Sequence, residues 1–124
     1  MLVLGEPISF WGGVDPELGT VIDVRHPQCG ASMKGKILVL PGTKGSTAGP
    51  GALLETMFAG NGPAAILLTQ PDLMCVIAMA AFEALGGAAV PVLAFAPDDH
   101  AKFEAGCRWR VAGNCATRIG FSPS

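Results

Sequence analysis

Lys44, Ser46 and Thr47 fall within four positions of one another in the stretch Leu38 to Gly51, LVLPGTKGSTAGPG. An ammonium and two hydroxyls so close together can bind an anion, cap a helix or exchange a proton with a substrate. Glycines occupy positions 42, 45, 49 and 51 of the same stretch, and glycine is usually found where backbone turns sharply or comes close to a ligand. A strand, a glycine-rich loop and a helix N-terminus in succession present unpaired backbone N–H groups and the positive helix end to an anion. Two familiar nucleophile and phosphate motifs are missing. Lys44 precedes Gly45, so GxxxxGK[ST] is not met, and Lys-Gly-Ser-Thr-Ala lacks the first glycine of GxSxG. On residue types alone the loop is either a tight strand-to-helix turn capped by Ser46 or Thr47, or a cradle for an anion.

The elements that hold this loop are legible from punctuation and periodicity. Ile37 to Leu40 is a short, wholly apolar strand of the kind covered on both faces. Pro50 suits a first helical position, and Ala52 to Phe58 gives two turns that stop at Gly60. Ala64 to Thr69 reads as the next strand, and Asp72 caps a helix from Leu73 to Leu85 that closes at Gly86-Gly87. That apolar run is interrupted by Glu83 and is shorter than the ~20 residues a bilayer-spanning helix requires; it reads as a buried helix. Met1 to Gly5 looks like the remainder of a strand, and Thr20 to Val24 is β-branched and strand-like. Val90 to Phe95 forms a further strand, Asp98 to Ala105 a short helix, and Trp109 to Ala112 with Ala116 to Ile119 a hairpin about Gly113-Asn114. The fold class is α/β: a mixed sheet with helices packed on it, in one domain spanning residues 1–124.

Composition bounds the function. The 124 residues are 50% hydrophobic and 15% charged, with net charge −2, too apolar for disorder and without the basic balance that attracts nucleic acid or an anionic membrane. Cys29, Cys75, Cys107 and Cys115 form no CxxC pair, and neither His26 nor His100 stands at zinc-finger spacing, so reduced thiols and no bound metal are expected. The beginning MLVLGEPISF has no basic segment and too short an apolar one for a signal peptide, which favours the cytoplasm. Low charge, abundant glycine and alanine and no tyrosine suggest a surface meant for a partner chain.

Three segments in order, ISFWGGVDPELGTVIDVRHPQCG, KGKILVLPGTKGSTAGPGALLE and GPAAILL, resemble the small, swivel-type domain of the aconitase X family of dehydratases. The resemblance covers the chain from Val3 to Ile119 and implies a swivelling β/β/α-type domain. It also implies a large aconitase X partner that carries an iron–sulfur centre and is completed by this smaller part. The two activities of the family are dehydration of cis-3-hydroxy-L-proline and of phosphomevalonate, both small carboxylates. Ser46 matches the family serine that takes the substrate proton; Lys44, Gly45 and Thr47 around it are then expected to contact substrate, and His26 in Arg25-His26-Pro27 to face the substrate or the large subunit. Many archaeal members continue after the serine as Thr-Val-Gly-Ser-Tyr, whereas this chain has Thr47-Ala48-Gly49-Pro50-Gly51, which points toward the hydroxyproline substrate. Members usually begin with a further strand before the region matching Val3, which leaves open a truncated start or a chain cut from a longer one.

Other residues have plainer readings beside the functional ones. His26 before a proline also suits a turn, Asp15 before Pro16 a turn start, and Trp11 either a core or an interface. Asp98, Asp99 and His100 suit a helix start, and Met74 and Met79 core packing. Cys29 alone cannot hold a cluster. Two other classes stay open on the residues: a non-catalytic module that captures an anion on the glycine loop, and a free-standing phosphate-binding enzyme.

Overall fold

The computed structural model describes residues 1–44, 49–101, 103, 107–112 and 115–121. Its framework is a four-stranded parallel sheet built from β1 (Leu2–Val3), β4 (Ile37–Val39), β5 (Ala65–Leu68) and β6 (Val92–Ala94), in the spatial order β1-β4-β5-β6. Between β1 and β4 lie α1 (Phe10–Gly13), a single turn kinked at Trp11 and Gly12, and the antiparallel pair β2 (Val14–Asp15) and β3 (Thr20–Val21). Helix α2 (Gly49–Phe58) connects β4 to β5, and α3 (Leu73–Ala84) connects β5 to β6. The short α4 (Pro97–His100) and the antiparallel hairpin of β7 (Cys107–Ala112) and β8 (Cys115–Phe121) complete the chain.

Alternation along the strands explains why they are apolar throughout. Leu2, Leu38, Leu40, Ile66, Leu68 and Val92 belong to a core with Leu53 and Met57 of α2 and Cys75, Ala78 and Met79 of α3. Val3, Ile37, Val39, Leu67 and Leu93 face the other way, onto Phe95, Phe103 and Val111. Successive side chains of a strand point to opposite faces, so a sheet covered on both sides needs apolar residues at every position. All four residues of β5 are buried, as that requires. Each fully buried leucine or isoleucine contributes roughly 1.5–3 kcal/mol.

Helix α3 departs from its sequence reading. Its apolar residues run all the way round, but only Cys75, Ala78 and Met79, with Phe82 partly covered, pack inward. Leu73, Val76 and Ile77 are exposed. The spacing i, i+3, i+4 buries one stripe of a helix, and α3 rests on the sheet by that stripe alone. Trp11, 62% exposed, is likewise no core aromatic. Strand β3 ends at Val21 instead of Val24, because the carboxylate of Asp23 accepts from the N–H of Arg25 at 3.0 Å and begins a turn. Helix α4 stops at His100, short of the expected Ala105; Lys102, residues 104–106 and the Gly113-Asn114 turn lie outside the described residues. Among the described residues no helix is long and apolar enough to cross a membrane.

Candidate functional site

In a parallel sheet all strands end on one edge, and the loops that follow β1, β4 and β5 meet there. Such carboxyl edges are the usual place for ligands in open α/β sheets. Residues 40–44 leave β4 under close control. Leu4 donates its N–H to Val39 O at 2.7 Å, and Leu40 N–H reaches Leu67 O at 3.0 Å. Thr69 donates its hydroxyl to Pro41 O at 2.6 Å, and Thr43 pairs with Ile8 as a parallel bridge. Lys44, exposed at the surface, donates its backbone N–H to Ile8 O at 3.0 Å. Gly45, Ser46 and Thr47, the other sequence candidates in this loop, lie outside the described residues.

His26 is drawn to the same edge but faces inward. It is 6% exposed. Its Nδ1 accepts the N–H of Gln28 at 3.1 Å, which leaves Nε2 to carry the proton and donate to Glu6 O at 3.0 Å. Both ring nitrogens are therefore engaged with backbone. The Gln28 side chain adds an acceptor for Gly5 N–H at 3.0 Å. The turn of residues 26–28 thus braces the segment 5–6 that leads to Ile8, and Ile8 in turn holds Thr43 and Lys44.

Asp72 ties the loop to α3. Its Oδ1 accepts from Met74 N–H at 3.0 Å and Cys75 N–H at 3.3 Å, the N-cap that its position suggested. Its Oδ2 accepts from Thr43 N–H at 3.3 Å and from the Thr43 hydroxyl. The far end of the loop touches the same turn: Gly49, the buried first residue of α2, leaves so little room that a Cβ there would stand 2.5 Å from Met74 Cε. The N-termini of α2 and α3 therefore stand next to one another at this edge, close to Thr43, and both bring positive partial charge to it. This arrangement is suited to holding a carboxylate or phosphate and to stabilising negative charge on a nearby oxygen.

Burial pushes the Cys75 thiol up to about 12, with the Asp72 carboxylate adding to the rise. That sulfur is inert as a nucleophile and as a ligand. Cys29 is an exposed free thiol, and among the described residues no three His, Cys, Asp or Glu side chains stand close enough to share a metal ion. Among the described side chains, Cys29 and the buried Cys75 do not make up the several thiolates that an iron–sulfur centre takes. An apolar recess of about 230 Å3 between α3 and β6, lined by Val76, Met79, Ala80, Glu83, Val90 and Val92, contains none of the loop candidates.

Sequence reasoning did not single out Thr43, Gln28 or the second oxygen of Asp72. Thr43 and Asp72 are separated by 29 positions, and Gln28 and Gly5 by 23. Nothing in the local pattern marks such pairs. Asp72 was visible as a cap because capping acts within three residues.

The sequence pattern of the family described as the aconitase X swivel domain matches residues 1–119. A Pseudomonas aeruginosa protein named cis-3-hydroxy-L-proline dehydratase is 44% identical over 85 residues, covering 68% of this chain and 15% of that protein. A Methanopyrus kandleri protein named phosphomevalonate dehydratase small subunit is 42% identical over 77 residues, covering 62% of this chain and 57% of its own length. The crystal structure of Thermococcus kodakaraensis aconitase X in its holo-form superposes with a TM-score of 0.82 at 29% identity, over 95% of this chain and 86% of that one.

Proposed function

Because this chain belongs to the aconitase X swivel-domain family, we propose that it is the small part of a hydro-lyase and completes the active site of a large, iron–sulfur-bearing partner. The observation that carries this reading is the convergence of the β1, β4 and β5 loops on Thr43 and Lys44 at the carboxyl edge of the sheet, where the N-termini of α2 and α3 also meet. The substrate is a small carboxylate with a hydroxyl on the β-carbon. Ser46 accepts the α-proton, the C–H electron pair forms the new double bond, and the β-hydroxyl leaves as water after protonation. A serine hydroxyl is a weak base, so it must be activated. Lys44, the helix ends and the N–H groups beside Gly45 lower the cost of the negative charge, and Thr47 adds a hydroxyl for the substrate's oxygens. No step of this chain runs through the metal centre, which belongs to the partner.

The favoured substrate is cis-3-hydroxy-L-proline. The stretch Ala48 to Gly51 departs from the Val-Gly-Ser-Tyr of many archaeal members, and the Pseudomonas relative carries the hydroxyproline dehydratase name. The match to the Methanopyrus small subunit over 57% of its length supports phosphomevalonate as the second reading. The chain matches only 15% of the length of the named hydroxyproline dehydratase, so most of an active assembly lies outside these residues. Co-expression with the large subunit, followed by assay of both substrates by product formation, tests the reading. Turnover of cis-3-hydroxy-L-proline that requires both parts is the expected result; absence of turnover of either substrate by an intact complex would overturn it.

A further inference from the structure

The Asp72 carboxylate does more than an N-cap needs. One oxygen, Oδ1, serves the two N–H groups of the first turn of α3, while Oδ2 serves the N–H and the hydroxyl of Thr43. Thr43 stands directly before Lys44, and its other neighbour in space, Ile8, fixes the Lys44 backbone from the opposite side. Across the loop, Gly49 rests on the methyl of Met74, a residue whose own N–H is held by Asp72. The start and the end of the loop are thus both referred to one turn, Asp72 to Met74. We infer that Asp72 and Thr43 are positioning residues for the dehydration: the carboxylate sets where Thr43 and Lys44 lie relative to the N-termini of α2 and α3. The inference rests on the reading that residues 44–47 meet the substrate, and it assigns no contact between Asp72 or Thr43 and the substrate itself.

The chemistry makes the role separable from capping. Asparagine caps a helix as well as aspartate does, but an amide has one acceptor oxygen, so Asp72→Asn that keeps the α3 cap leaves the Thr43 N–H without its acceptor. Thr43→Val keeps the β-branched shape, the backbone N–H and the Asp72 cap, and removes only the hydroxyl contact. Thr43→Ser restores it. Misplacement of a substrate-contacting group by a fraction of an ångström to an ångström is reflected in turnover, to the extent of ten- to a hundredfold.

The test uses the complex with the large subunit. Thr43→Val and Asp72→Asn are expected to lower kcat about tenfold with KM changed by less than about threefold, and Thr43→Ser to return kcat to within about twofold of wild type. A merely structural role would lower the melting temperature and leave kcat unchanged well below it. Hydrogen exchange on the full chain supplies a readout independent of turnover: in Asp72→Asn the amides of Thr43 and Lys44 should exchange at least tenfold faster, with those of residues 78–84 unchanged. Ser46→Ala, run in parallel, separates the two ideas. If Ser46→Ala is inactive while Thr43→Val and Asp72→Asn keep wild-type kcat, the positioning inference is wrong and the functional reading survives. If Ser46→Ala retains full turnover, the reading itself fails. In that case unchanged exchange at Thr43 and Lys44 in Asp72→Asn would overturn the clamp as well, and accelerated exchange would preserve the clamp as a device of the fold.

Discussion

Ser46→Ala in the assembled enzyme is expected to lower kcat by on the order of 10²–10⁴, the usual consequence of losing a positioned proton-transfer group. Folding and assembly should survive, as a melting curve and gel filtration would show. Lys44→Met removes a charge that is exposed and has its backbone held by Ile8, so a smaller loss of kcat/KM is expected, with no change in fold. The cysteines give a second prediction at this scale. Cys29 is exposed, whereas burial pushes the Cys75 thiol from 9.0 to about 12; at pH 8 iodoacetamide should alkylate Cys29 and spare Cys75, as peptide mass mapping would show. The sign of the pH effect follows. Because the folded value lies above the unfolded one, the buried thiol's contribution is complete below pH 9 and is lost as pH rises toward 12. Wild type and Cys75→Ala, compared by denaturant titration, should therefore converge in stability over that window; a constant difference would contradict it. His26 teaches the limit of residue-type reasoning. A histidine before proline reads as a turn residue or as one facing the substrate or the large subunit, and its two backbone partners, 20 and 2 positions away, are not announced by either reading.

At the scale of elements, the turn joining β2 to β3 is tightly constrained. Gly19 has φ of +70°, and a Cβ there would stand 2.3 Å from the backbone oxygen of Asn61. The Asn61 amide in turn donates to Pro16 O at 3.1 Å and Glu17 O at 2.6 Å, which locks the turn against the segment between α2 and β5. Gly19→Ala must both adopt a left-handed backbone and displace main chain, so a loss on the order of 2–4 kcal/mol is expected in chemical denaturation. Gly12, with φ of +85° and open space around it, is the comparison: Gly12→Ala should cost about 1 kcal/mol, from backbone strain alone. Equal costs would mean that the Asn61 contact relaxes. Strand cores and the Asp72 cap were legible because their causes are local. The covered stripe of α3 was not, since a helix apolar on every side gives its period no preferred face.

For the whole molecule, the expectation is that this chain alone turns over neither substrate, that it co-purifies with a large aconitase X subunit, and that turnover appears only in the mixture. Dehydration by the isolated chain would contradict the shared site, and failure to associate with the large subunit would contradict the partnership. The exposed apolar side chains make a further point. Leu73, Val76 and Ile77 on α3 and Trp11 beside α2 are about half exposed or more in the single chain. Ile77→Asn should leave the stability of the isolated chain within about 0.5 kcal/mol, because an exposed side chain contributes little to the fold. A loss of more than 2 kcal/mol would show that this face is not open in solution.

The amino-acid sequence by itself determined the α/β class, the strands that are apolar at every position, the loop rich in glycine and hydroxyls that follows β4, the Asp72 cap, and the family, through motifs running nearly the length of the chain. Each of these depends on a residue and its neighbours within a turn or two, or on a pattern carried directly by the letters. The order β1-β4-β5-β6 is of another kind. It brings Ile8, Thr43 and Asp72 to one edge, and the fold of the β1–β4 connection sets His26 against Glu6. Those contacts form between segments whose only relation is that the packed sheet sets them side by side, so no periodicity in the chain announces them.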